Sequence, residues 1–226
     1  NSDRYQYTLP YYSFSKNLTS ILSDNSIYGS LNFSSSGTNN LKDTNNLLST
    51  INNSINYSSP DFISNLGFKS NFNAYLSNSN IVGKKDSTYT SDTQIDGKSI
   101  FMIDTTIPLI KYNDESLETI TPRISFRVNP GNNMNDFSAS GRGIGMSNVF
   151  LLDRLAIGDY EAGKSLTLGL GYKFDKFENS IDNKTEDDNV KDKFIEFNIA
   201  TVVRDQAETE IPASSTINRK NSNIFG

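Results

Sequence analysis

The sequence predicts an all-β protein: a partial antiparallel transmembrane β-barrel, about nine strands of a larger wall. Residues 165–174, SLTLGLGYKF, place Leu166, Leu168, Leu170, Tyr172 and Phe174 on one strand face, and Ser165, Thr167, Gly169, Gly171 and Lys173 on the other. That alternation returns along most of the chain, in stretches long enough to cross a bilayer as strands. No run of about 18 apolar residues offers a membrane helix. The 14 Phe and 11 Tyr, with no Trp, fall inside the alternating stretches, where a sheet can use them. A barrel wall needs only every second residue apolar because the other half faces a wet lumen, so the polar overall composition does not oppose this reading.

The elements follow in order. Tyr5, Tyr7, Leu9 and Tyr11 share one face of the first strand, where Pro10 lacks a donor and suits an edge or a strand end. Ile27, Gly29, Leu31 and Phe33 form the next, and 34–46 is expected to be a polar connection rich in turn formers. Ile51, Ile55 and Tyr57 alternate with Asn and Ser, residues 58–61 turn the chain, and Leu66, Phe68, Phe72, Ala74 and Leu76 complete a long hairpin. Residues 78–98 are hydrophilic and are expected to form a long loop. The pair 99–109 and 119–128 follows, with Ile124, Phe126 and Val128 opposed by Arg123, Ser125 and Arg127. Two arginines on the non-apolar face are costly in lipid and comfortable in a lumen. Residues 129–148 read as loop, then come NVFLLDRLAIGD, the strand at 165–174, a charged connection and the last strand, with Ile195, Phe197, Ile199, Thr201 and Val203 on one side.

Composition removes several chemistries. With no Cys and no His, thiolate and Ser-His-Asp catalysis, disulfides and nearly all structural zinc sites are excluded. A net charge of -5 does not suit a general nucleic-acid binder. The acidic run at 182–188 lacks the ligand register and glycine of a calcium loop, so neither a metal site nor a cofactor is expected. The first residues have neither a basic region nor an apolar core, so the reading expects no signal peptide and takes 1–226 as an internal segment of a single β-barrel domain.

From Asn148 onward the residues resemble a known family. The stretch 148–174, NVFLLDRLAIGDYEAGKSLTLGLGYKF, is similar to the barrel of the outer-membrane lipopolysaccharide-assembly proteins, also called organic solvent tolerance proteins, through Asn148, Phe150, Asp153, Arg154, Gly158, Asp159 and Leu166 to Leu170. Two further stretches agree: DRYQYTLPYYSFSKNL near the start, and ETITPRISFRVNP through Thr119, Pro122, Arg123, Ile124 and Phe126. Leu152, where many relatives have Gly, and a longer step between Asp159 and Ser165 depart from the pattern. The resemblance implies transport of lipopolysaccharide and its insertion into the outer leaflet of a Gram-negative cell outer membrane. Its implied partners are lipopolysaccharide, a plug lipoprotein, a periplasmic bridge protein and membrane lipids, with no nucleic acid.

Candidate functional residues are few. Lys69, Arg123, Arg127 and Lys173 are candidates for a lumen-facing basic set that meets anionic sugars or phosphates or pairs with carboxylates. Asp153 and Arg154, with Asp159 and Glu161, lack an activated nucleophile, so a loop pinned by an Asp-Arg interaction is favoured over catalysis and no enzyme is expected. Two alternatives remain: another barrel such as a porin or a siderophore receptor, and a soluble or surface β-sandwich adhesin with no membrane contact. A barrel cut from its wall is expected to aggregate without detergent through unpaired edges.

Overall fold

The computed structural model describes residues 6–24, 28–42, 45–131, 143–155, 160–176, 193–209, 211 and 215–226. Ten strands are present among these: β1 (Gln6–Asn17), β2 (Ser30–Lys42), β3 (Asn46–Ser58), β4 (Phe62–Ile63), β5 (Lys69–Lys84), β6 (Gln94–Thr106), β7 (Leu109–Asn113), β8 (Ser116–Asn129), β9 (Gly163–Lys176) and β10 (Lys193–Arg204). A six-residue helix, α1 (Thr19–Asp24), links β1 to β2, and a 3-10 turn covers Thr216–Asn218. The hydrogen-bonded order is β1-β2-β3-β5-β6-β8-β9-β10, with β4 beside β5 and β7 beside β8.

The chain is all-β, but the barrel expectation is corrected: the sheet is open, and its path ends at β1 on one side and β10 on the other among the described residues. Closure requires the first and last strands to pair. Both edges are instead blunted. On β1 the register slips between Thr8 and Tyr11, around the donorless Pro10. On β10 the C-terminal segment lies along the outer edge, with Ala200 exchanging hydrogen bonds with Phe225 and Arg204 N donating to Lys220 O. No described helix is long and apolar enough to cross a membrane.

Several boundaries also differ. The expected connection at 34–46 is mostly strand: Ser34 pairs with Ser54, Thr38 with Thr50 and Lys42 with Asn46. Turn-forming side chains are held in a ladder because they bond to each other across it, as in Thr38 Oγ1 to Thr50 Oγ1 at 2.8 Å and Ser35 Oγ to Asn53 Oδ1 at 2.7 Å. The expected loop at 78–98 shrinks to 85–93 for the same reason, since β5 keeps its pairing with β3 as far as Lys84 against Leu47. The connection after 109 contains a strand, β7, folded tightly back on β8.

The chain divides into two compact units. The first comprises 1–60, 72–102 and 129–133. Its strands β1, β2 and β3 and most of β5 have few buried side chains on either face, so this part is a single layer of sheet. The second comprises 61–71, 103–128 and 134–226. Here Val149, Phe150, Leu155, Ala200, Val202, Ile211 and Ile217 form a hydrophobic core where the turns of 143–155 and the C-terminal segment pack on β9 and β10.

The alternation of β9 is present, but its polar side is not the wet side that was expected. Ser165 and Thr167 are buried, whereas Leu168 and Leu170 are both 38% exposed. The first part of the polar face, Ser165, Thr167 and Gly169, is covered by the protein's own 143–155 segment, while Lys173 further along the same face is exposed. Gly169 is what lets that segment approach, since a Cβ there would stand 2.5 Å from Cζ of Phe150.

Candidate functional site

The densest chemistry lies in the second unit, where 143–155 folds on itself before meeting the sheet. Asn148 organises the turn: its Oδ1 accepts from Gly145 N at 2.9 Å, and its Nδ2 donates to Gly143 O at 2.8 Å and Arg154 O at 3.3 Å. A buried amide that uses both ends in this way fixes the backbone without leaving an orphaned group. Phe150 is thereby set beneath Gly169, and the Arg123 guanidinium stacks over its ring at 4.0 Å from the centroid. Arg123 also makes a forked pair with Asp104, Nε to Oδ1 at 2.9 Å and Nη2 to Oδ2 at 2.8 Å.

Below this lies a buried ionic cluster. Arg154, 1% exposed, donates from Nε to Glu161 Oε2 at 3.0 Å and makes a second, short bond from Nη2 to Oε1. It also reaches Thr167 Oγ1 at 2.9 Å, Ser165 Oγ at 3.1 Å and Val149 O at 3.2 Å. Arg127 Nη1 and Arg204 Nη1 each lie 3.2 Å from the same Glu161 oxygen. Arg127 also donates to Leu151 O, and Arg204 to Ala162 O at 2.6 Å. One carboxylate therefore gathers three guanidinium groups from β8, the 143–155 turn and β10.

The electrostatics follow from burial and crowding. Burial pushes the Glu161 carboxyl up, but the charges of Arg154 and Arg127 and the hydrogen bonds from Arg154 outweigh it and hold the group at about 2. Arg127 is lowered to about 9, first by loss of water and then by the like charge of Arg154. Outside the cluster, Asp61 is lowered by its hydrogen bond from Lys69. Asp86 is lowered by the backbone N–H groups of Thr88 and Tyr89 in the loop after β5.

The residues singled out in the sequence do not form one site. Lys69 pairs with Asp61 at 2.8 Å and Lys173 with Asp175 at 2.9 Å, both on exposed strand ends. Arg123 and Arg127 are bound to Asp104 and Glu161. Pro122 lines a groove of about 400 Å³ with Phe68, Ile107, Ile124 and Leu168, and its carbonyl accepts from Ile107 N. The acid that pins Arg154 is Glu161, and Asp153 is half-buried beside it in sequence. Gly158 and Asp159 lie outside the described residues, as does the acidic run at 182–188. Asp104 and Arg204 are the participants that sequence reasoning missed. The legible signal for Arg204 is a charge directly ending the apolar run of β10.

A second candidate is a surface in the first unit. Rows across β1, β2, β3 and β5 read Asn17-Asn32-Asn56-Tyr75, Ser15-Ser34-Ser54-Ser77, Ser13-Ser36-Asn52-Ser79 and Tyr11-Thr38-Thr50-Ile81, with Ser30-Ser58-Asn73 beside them. No charged residue interrupts this face. Its groups bond laterally, as in Ser34 Oγ to Ser54 Oγ at 2.7 Å and Ser79 Oγ to Asn52 Oδ1 at 2.6 Å, and each hydroxyl or amide oxygen has capacity for a further bond.

Compared with family models, with curated proteins and with solved structures, the chain matches none. Membership of the lipopolysaccharide-assembly family is therefore corrected: short strand motifs such as Leu-Thr-Leu-Gly-Leu arise wherever a sheet has one apolar and one small face. The transport function and the outer-membrane location rested on that resemblance and on a closed barrel, and both fall with them. A porin or siderophore-receptor barrel fails on the same open sheet. What the chain is, on these observations, is an all-β domain built on an open antiparallel sheet.

Proposed function

We propose that the chain is a non-catalytic recognition module of the adhesin type, in which a sheet face rather than a cleft meets the ligand. The observation that carries this reading is the uncharged hydroxyl and amide face of β1, β2, β3 and β5. Side chains opposite one another across strands stand about 5 Å apart and recur about 7 Å along them. Such a lattice offers donors and acceptors at regular intervals, and it suits an uncharged, polyhydroxylated surface such as a neutral glycan chain. Tyr11, 73% exposed at the rim of the lattice, adds a ring with an apolar face and a polar tip. The first unit spends few side chains on a core of its own, in keeping with a sheet whose faces serve as surfaces.

The test is co-sedimentation of the chain with insoluble neutral polysaccharides and with acidic ones, beside the double variant Ser34→Asp, Asn52→Asp. Retention on a neutral polymer that the variant loses, at unchanged circular dichroism, supports the reading. Retention on none, or equal retention of the variant, refutes it.

A further inference from the structure

One surface is left over by both the ionic cluster and the polar face. In the second unit the side of β8, β9 and β10 opposite the hydrophobic core carries Ile120, Ile124 and Phe126, Leu168 and Leu170, and Ile195, Phe197, Ile199 and Val203, each at least 38% exposed. The register joins them into one patch, with Leu166 against Val203, Leu170 against Ile199, Tyr172 against Phe197 and Phe174 against Ile195. The rings of Tyr172 and Phe197 stand 5.3 Å apart. The middle of the patch contains no charged residue. Monomeric proteins rarely leave apolar patches beyond a few hundred Å² open to water.

We propose that a second copy of this chain covers the patch with the same patch of its own, so that two chains complete a sheet-on-sheet sandwich. The area argues for it. With side chains of this size presenting about 150–250 Å² when free, exposures of 38–62% leave roughly 80 Å² each, so nine such residues, fully covered, hide about 700 Å² per copy. That is close to the roughly 800 Å² per partner of a standard stable interface. Charge argues for it too. A two-fold interface sets like against like, and a patch without charge meets itself without repulsion. Two aligned sheets pack about 10 Å apart with interdigitated side chains, and the groove between Phe68, Pro122, Ile124 and Leu168 gives the opposing copy a place to insert one. This pairing does not rest on the glycan reading, since it uses other strands and an apolar face.

The test uses the absence of cysteine from the whole chain. Leu170→Cys places one thiol in the patch, and Glu196→Cys places one on the opposite face of the sheet. Sedimentation equilibrium in detergent-free buffer is run on the unaltered chain and on Leu170→Glu and Phe126→Ser, and the two cysteine variants are oxidised under mild conditions. The expected result is a discrete dimer of the unaltered chain, dissociation weakened about tenfold or more in Leu170→Glu at unchanged circular dichroism, and covalent dimers from Leu170→Cys only. A monomer at all concentrations, undirected aggregates, or equal cross-linking of both cysteine variants overturns the proposal. Flotation of the monomer with phosphatidylcholine vesicles also overturns it, because lipid is then the occupant of the patch.

Discussion

Replacing Glu161 with Gln removes the carboxylate that Arg154 grips through two hydrogen bonds while keeping the side chain's size. Arg127, Arg154 and Arg204 are each no more than 3% exposed at the side chain, so three guanidinium groups keep their desolvation cost and lose their shared counter-charge. Removing one partner of a buried ion pair costs about 3–5 kcal/mol. The lowering of the acid's pKa by these same arginines is of similar size. Glu161 is held at about 2 against an ordinary 4.5, which corresponds to roughly 3 kcal/mol of stabilisation near neutral pH. The sign is fixed by proton binding: between those two values the unfolded chain binds the proton and the folded chain does not. The stabilisation is thus complete above about 4.5 and is lost as pH falls towards about 2. The assay is thermal and urea unfolding of both proteins across a pH series. At neutral pH, Glu161→Gln is expected to lower Tm by on the order of 10 °C, at about 2–4 °C per kcal/mol for a chain of this size. The gap between the two proteins is expected to narrow below pH 4.5, as Glu161 of the unfolded chain takes up its proton while the folded chain does not. A variant within about 1 kcal/mol of the native chain, or a gap independent of pH, refutes the reasoning.

Three further outcomes are expected. Gly169→Val drives a branched side chain into the Phe150 ring and is expected to cost about 1–3 kcal/mol in urea unfolding, whereas Gly97→Ala, with only Ser77 O at 3.9 Å from the added carbon, is expected to change little. Arg123→Lys loses both the fork to Asp104 and the stack on Phe150, and unfolding is expected to show a loss of about 1–2 kcal/mol despite the retained charge. Phe225→Ala loosens the C-terminal segment, so hydrogen exchange of the Ala200 and Arg204 amides, which donate to that segment, is expected to quicken while the Thr201 and Val203 amides of the β9 ladder stay protected.

The alternation of residues 165–174 and 195–203 was enough to establish strands and their two faces, because a period of two sorts side chains by face without any knowledge of what lies beyond each face; their register came from the structure. The absence of His and Cys likewise removed whole chemistries before any fold was known. Which face is covered was not legible. Ser165 and Thr167 look like a wet side, yet they are buried because Arg154, brought onto β9 by the turn that Asn148 organises, and Glu161, just ahead of the strand, make the hydrogen bonds that render their burial tolerable. Sheet closure was equally hidden, since it depends on what occupies the two outer edges: a proline bulge on β1 and the C-terminal segment on β10. The partners of Arg127 and Arg204 lie 34 and 43 positions away in the chain. No local pattern encodes such a meeting; composition and periodicity determine strands and their faces, and only the tertiary structure brings distant charges together, because the loss of water that makes them pair exists only once the chain has folded.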